Sequence, residues 1–86
     1  IITYKNIENA ISIANDSKYG LSSYITSGNE SIAYEIAKQI KAGQTIINKI
    51  SRGSVAAPFG GFKMSGNGRE HGVYGVEEYL EIKAII

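Results

Sequence analysis

The chain has 86 residues, 43% of them hydrophobic and 20% charged, with a formal net charge of +1, one histidine and no cysteine. No basic field is present to attract a polyanion, no thiol can form a disulfide, bind a metal or act as a nucleophile, and one histidine is too few for a metal cluster. The composition is that of a soluble globular protein whose apolar runs reach no more than three residues, so a cytoplasmic location is expected, without nucleic-acid or membrane partners.

Ile7, Ala10, Ile11 and Ala14 recur at helical spacing behind Asn6, a residue suited to an N-cap. They predict a helix over residues 7–15. Residues 21–27, "LSSYITS", alternate as a strand does, and Gly28-Asn29 breaks the pattern. The stripe Ile32, Ala33, Ile36, Ala37, Ile40 predicts a second helix over residues 30–42, with Glu30 in the first turn, Lys38 and Lys41 near the end, and Gly43 as a left-handed cap. "QTIINKI" reads as a short buried strand, residues 73–81 as a third helix weakened by Gly75, and the alternation of Leu80, Ile82, Ala84 and Ile86 as a final strand. Helix, strand, helix, strand, long loop, helix and strand in this order imply an α/β architecture: part of a mostly parallel sheet with covering helices.

A chain of this size hides only about 60% of the surface its unfolded form exposes. Apolar residues of strand type stand at both ends, in "IITY" and "IKAII", where free domains carry polar segments. A larger whole, either further sequence or a partner subunit, is expected to complete the open sheet edges.

The stretch "PFGGFKMSGNGREHG", residues 58–72, holds five of the ten glycines and the only proline, methionine and histidine. Phosphate binding is the first reading to test, and the spacing fails it twice. Gly61 to Gly66 has the length of a phosphate-loop glycine pair, but Asn67-Gly68 stands where lysine and serine or threonine must reach phosphate and magnesium. Gly66-x-Gly68 begins a dinucleotide fingerprint, yet His71 replaces its last glycine and no strand leads into it. On residue chemistry alone the glycines serve turns and close packing. Phe59 then faces a pocket or packs, Arg69 and Glu70 form an ordinary ion pair, and His71 is a surface or capped residue with no nucleophile beside it.

The segments "AISIANDSKYGLSSYITSGN", "AGQTIIN" and "APFGGFKMSGNGREHGVYGVEEYLEIKAI" follow one another in the order and spacing of the C-terminal end of NAD(P)-dependent aldehyde dehydrogenases. The resemblance covers about residues 9–85. It implies that residues 1–80 belong to the catalytic domain and that residues 81–86 (Glu81, Ile82, Lys83, Ala84, Ile85, Ile86) form an oligomerisation strand paired with a neighbouring subunit, in a dimer or tetramer. It implies an aldehyde tunnel with Phe59 at its wall; Gly53 stands where family members often carry a second aromatic, which implies a wider or differently shaped pocket. Glu70, the glutamate of "GRE", would lie behind the active site as a proton-relay residue, while Gly60, Gly61, Gly66, Gly68 and Arg69 shape the loop. Some members hold a monovalent cation on backbone carbonyls corresponding to Lys63 and Gly66; no metal site is expected here. Asn48 falls at the end of the "IN" strand and is not the oxyanion asparagine. The attacking cysteine, the general-base glutamate and the domain for NAD or NADP would all lie upstream. The isolated chain is therefore expected to bind no cofactor and to be inactive. Two readings of other classes stay open: a self-associating structural fragment and, less favoured by the spacing, a glycine-loop phosphate module.

Overall fold

The structure, a computed structural model, describes residues 1–50 and 53–86. Helix α1 (Ile7–Asn15) starts where its cap predicts: Asn6 is extended at φ −155°, and its Oδ1 accepts the Asn9 N–H at 2.8 Å. Strands β1 (Tyr19–Gly20) and β2 (Ser22–Ile25) follow. Helix α2 (Glu30–Ala37) is capped by Asn29, whose side chain accepts the Ile32 N–H at 3.1 Å. Strand β3 (Gln44–Ile47), strand β4 (Phe62–Lys63) and helix α3 (Gly72–Glu77) complete the order.

The centre is a β2–α2–β3 unit. Strands β2 and β3 run parallel with Ser22 opposite Gln44 and Ile25 opposite Ile47, and α2 makes the crossover. Ala33 of α2 and Ile46 of β3, the buried hydrophobic residues, mark its small core. Just beyond β3, Asn48 latches the unit: its Oδ1 accepts the Ser27 N–H at 2.8 Å and its Nδ2 donates to Ser27 O at 2.9 Å. Asn48 sits at φ +51°, a left-handed conformation that asparagine tolerates better than most side chains.

Predicted boundaries move: β2 covers Ser22–Ile25 rather than residues 21–27, and β3 ends at Ile47 instead of running through "QTIINKI". Helix α2 stops at Ala37 rather than residue 42, because the Asn15 side chain binds the chain beyond it, donating to Gln39 O at 2.9 Å and accepting the Lys41 N–H at 2.8 Å. Those contacts span 24 and 26 residues, so no local pattern reveals them. Gly43 is not a left-handed cap; it lies against the Gly60 carbonyl, a close approach that leaves no room for a Cβ. Helix α3 covers residues 72–77 rather than 73–81, and residues 80–86 are in neither helix nor strand. The apolar alternation there is real, but a strand forms only against a partner, and among the described residues nothing pairs with it. Finally, the segment read as one long loop contains β4, which pairs antiparallel with β1 over two residues, a small ladder separate from the parallel β2–β3 pair.

The molecule measures 56 × 24 × 24 Å with a radius of gyration of 15.7 Å, against about 12 Å for a compact domain of this length. Its accessible surface is 7317 Å², where a self-contained domain of its mass exposes about 5,000 Å². Apolar and aromatic side chains contribute to this surface: Tyr24, Tyr34, Val73, Tyr74, Val76 and Tyr79 are each at least 60% exposed.

Candidate functional site

The loop of residues 58–72 is built around one short ladder. The Phe59 N–H donates to Glu70 O and the Glu70 N–H donates to Phe59 O, both at 2.7 Å, an isolated antiparallel bridge. The two residues singled out as tunnel wall and relay are thus held by each other's main chain. Arg69 closes the loop between them. Its Nη1 donates to Gly61 O at 3.0 Å and Gly68 O at 2.8 Å, and its guanidinium lies 5.6 Å from the Phe62 ring centroid. The expected Arg69–Glu70 ion pair does not form, because the guanidinium is turned to carbonyls of its own loop. Gly60 permits this fold-back: a Cβ there would meet Gly68 O and, at 2.8 Å, Arg69 Cδ. Gly61 is buried against Ser65, Gly66 turns the chain at φ +135°, and Gly68 faces the Glu78 carboxylate, 3.7 Å from where a Cβ would stand.

The loop is anchored to the rest of the chain at Lys63. Its Nζ donates to Asn15 O and Ser17 O, both at 3.0 Å, placing a cation at the carbonyl end of α1 where the helix dipole favours it. The Ser65 hydroxyl accepts the Gly20 N–H at 2.9 Å.

Gly53, Phe59 and Glu70 line one open cavity of about 480 Å³, together with Tyr24, Gln44 and His71. Phe59 is half-buried and Glu70 exposed. Gly53 has φ +35°, and a Cβ on it would stand 3.2 Å from Gln44 Nε2; Gln44 Oε1 in turn accepts from the Ser22 hydroxyl at 3.3 Å. Sequence reasoning missed Tyr24 and Gln44. Alternation in "LSSYITS" defines two faces, but only the parallel register, with Tyr24 opposite Ile46, turns one of them toward the loop. His71 reaches the same cavity at φ +63°, ψ 162°, a backbone region essentially reserved for glycine.

A second cleft of about 370 Å³ runs along Gly60, Gly61, Gly66 and Gly68; Glu70 and Glu78 line it beside Arg69, whose Nη1 is taken up by the Gly61 and Gly68 carbonyls, so the lining sets two carboxylates against one cation. Among the described residues no group of three His, Cys, Asp or Glu could hold a metal ion. The Lys63 carbonyl is approached by the Gly66 N–H at 3.5 Å. Residues 81–86 lie apart from the cavity lining, and no helix among the described residues is long and apolar enough to cross a membrane.

Comparison with known proteins bears on the family and the fold. The model of the aldehyde dehydrogenase family matches residues 1–85. A Staphylococcus saprophyticus protein, provisionally named an aldehyde dehydrogenase, is 47% identical over 85 residues, covering 99% of this chain and 18% of its own length. Among solved structures, a mutant of aldehyde dehydrogenase C (AldC) from Pseudomonas syringae, in complex with NAD+ and octanal, superposes with a TM-score of 0.92 at 50% identity over 98% of this chain and 17% of its own. A Mycobacterium tuberculosis aldehyde dehydrogenase with NAD+ gives 0.87 at 43% identity over 92% of this chain and 16% of its own. The chain thus spans less than a fifth of the length of these relatives. With its α/β fold and nearly its whole sequence matched, the chain belongs to the aldehyde dehydrogenase family.

Proposed function

We propose that residues 1–86 act within a longer NAD(P)-dependent aldehyde dehydrogenase, as the C-terminal part of its catalytic domain, supplying substrate-channel and subunit-contact surfaces for the oxidation of an aldehyde to a carboxylic acid. The observation that carries this reading is the Phe59–Glu70 bridge lining one cavity with Gly53, in a chain 50% identical to an enzyme crystallised with NAD+ and octanal. Bound elsewhere in such an enzyme, the nicotinamide cofactor accepts hydride, and a cysteine and a general base of the same enzyme form and hydrolyse a thioester. This chain has no cysteine, so alone it is inactive in this reading.

Its own residues would do three things. Phe59, half-buried at the cavity, presents an apolar ring to the aldehyde and excludes water from that side. Gly53, with no side chain of its own, would leave its stretch of the lining without a second aromatic. Glu70 holds an ionisable oxygen where a water chain could pass protons to the general base during thioester hydrolysis. Residues 81–86 would pair with a neighbouring subunit of a dimer or tetramer in the cytoplasm.

The test is Glu70→Gln in an aldehyde dehydrogenase whose corresponding segment is residues 1–86. The expected result is an undiminished first-turnover burst of NADH with steady-state kcat lowered roughly a hundredfold, the low end of what proton-transfer catalysis contributes. Wild-type kcat would contradict the relay role. The open strand edges and apolar surface favour, as a second reading, a fragment that self-associates on its own; a monomer by sedimentation at high concentration would count against it.

A further inference from the structure

Helix α3 reaches the Phe59–Glu70 bridge through a glycine. Gly75 is buried, and a Cβ on it would stand 2.7 Å from the Glu70 carbonyl carbon and 3.2 Å from Glu70 Cα. Ordinary van der Waals contact begins at 3.4 Å, so an added methyl displaces the two elements by roughly 0.7 Å. The obstacle is main chain, and no side-chain rotation relieves it. Nor is the helix free to retreat. The Gly75 N–H donates to His71 O at 2.9 Å, and the Gly72 N–H donates to Val55 O at 2.9 Å, in the segment that runs into Phe59. The reciprocal 2.7 Å bonds between Glu70 and Phe59 then pass any displacement of one to the other.

We propose that Gly75, which does not line the cavity, is a positioning residue. By letting α3 pack directly on the Glu70 backbone, it sets the place of the Glu70 carboxyl and the Phe59 ring together. The inference rests on the roles proposed above for those two residues. Misplacing reacting groups by about 1 Å costs up to roughly a hundredfold in rate, so a shift somewhat below that is expected to show in turnover and in aldehyde binding at once.

The experiment compares Gly75→Ala, Gly72→Ala, Glu70→Gln and Gly28→Ala in the same aldehyde dehydrogenase carrying residues 1–86, measuring kcat, KM for aldehyde, KM for NAD+ and melting temperature. Gly28 has nothing within 4 Å of an added Cβ, and its variant serves as the unchanged reference. The expected result for Gly75→Ala is kcat lowered roughly tenfold and aldehyde KM raised severalfold, with KM for NAD+ unchanged, because only the bridge moves. Gly72→Ala presses instead on Ala56 O, 2.7 Å from the added Cβ, and is expected to raise aldehyde KM more than it lowers kcat. A lower melting temperature with unchanged kcat and KM would overturn the inference. If Gly75→Ala does not fold, a Gly72→Ala enzyme with wild-type aldehyde KM overturns it equally. Impaired Glu70→Gln beside normal Gly75→Ala refutes this inference alone, whereas normal Glu70→Gln refutes the underlying reading.

Discussion

Asn48 and His71 both hold side chains in positive-φ backbone, with different compensation. At Asn48 two side-chain bonds to Ser27 accompany φ +51°. Asn48→Ala would lose both bonds and keep the backbone strain, lowering the stability of an enzyme carrying the segment by about 1–2 kcal/mol by denaturant titration. His71 has no side-chain capping bond at φ +63°. Strain of this kind costs about 1–3 kcal/mol, offset in part by the extra freedom glycine has when unfolded. His71→Gly is therefore expected to raise the melting temperature of such an enzyme, and a lower value would show that the imidazole contributes a stabilising contact. Both residues stand out in the structure but not in the sequence, because φ is set by the contacts around a residue: "INK" and "EHG" look like ordinary strand-end and turn triplets.

At the scale of elements, what was legible follows from local chemistry. The Asn6 cap, the start of α2 at Glu30 and the start of the strand at Gln44 each rest on signals within a few residues and stand where they were predicted, although the strand read over "QTIINKI" ends at Ile47. What failed depends on distant contacts: the early end of α2 at the Asn15 clamp, the β1–β4 pairing across more than 40 residues, and the final strand, which has no partner among the described residues. The candidate site divides the same way. Resemblance singled out Phe59, Glu70 and Gly53, while Tyr24 and Gln44 required the β2–β3 register. The Asn15 clamp can be tested directly. Asn15→Ala removes its bonds to Gln39 O and the Lys41 N–H, each worth about 0.5–1.5 kcal/mol, and should free the amides of residues 39–42 to exchange faster while those of β3 stay protected. Unchanged exchange would mean that the turn after α2 is held by other contacts.

For the whole molecule, surface decides. A radius of gyration of 15.7 Å and 7317 Å² of exposed surface describe a chain that buries far less than a domain of its size needs to offset its lost conformational entropy. Alone, residues 1–86 are expected to melt without a cooperative transition and to show no turnover with aldehyde and NAD+. The most direct test of the central claim is replacement. In Pseudomonas syringae AldC, whose matching segment is 50% identical, residues 1–86 take the place of that segment, and NADH production from an aldehyde is measured beside AldC lacking the segment. The account predicts a folded, active hybrid and an inactive truncation; a hybrid that folds and binds NAD+ but leaves aldehyde unoxidised would contradict it.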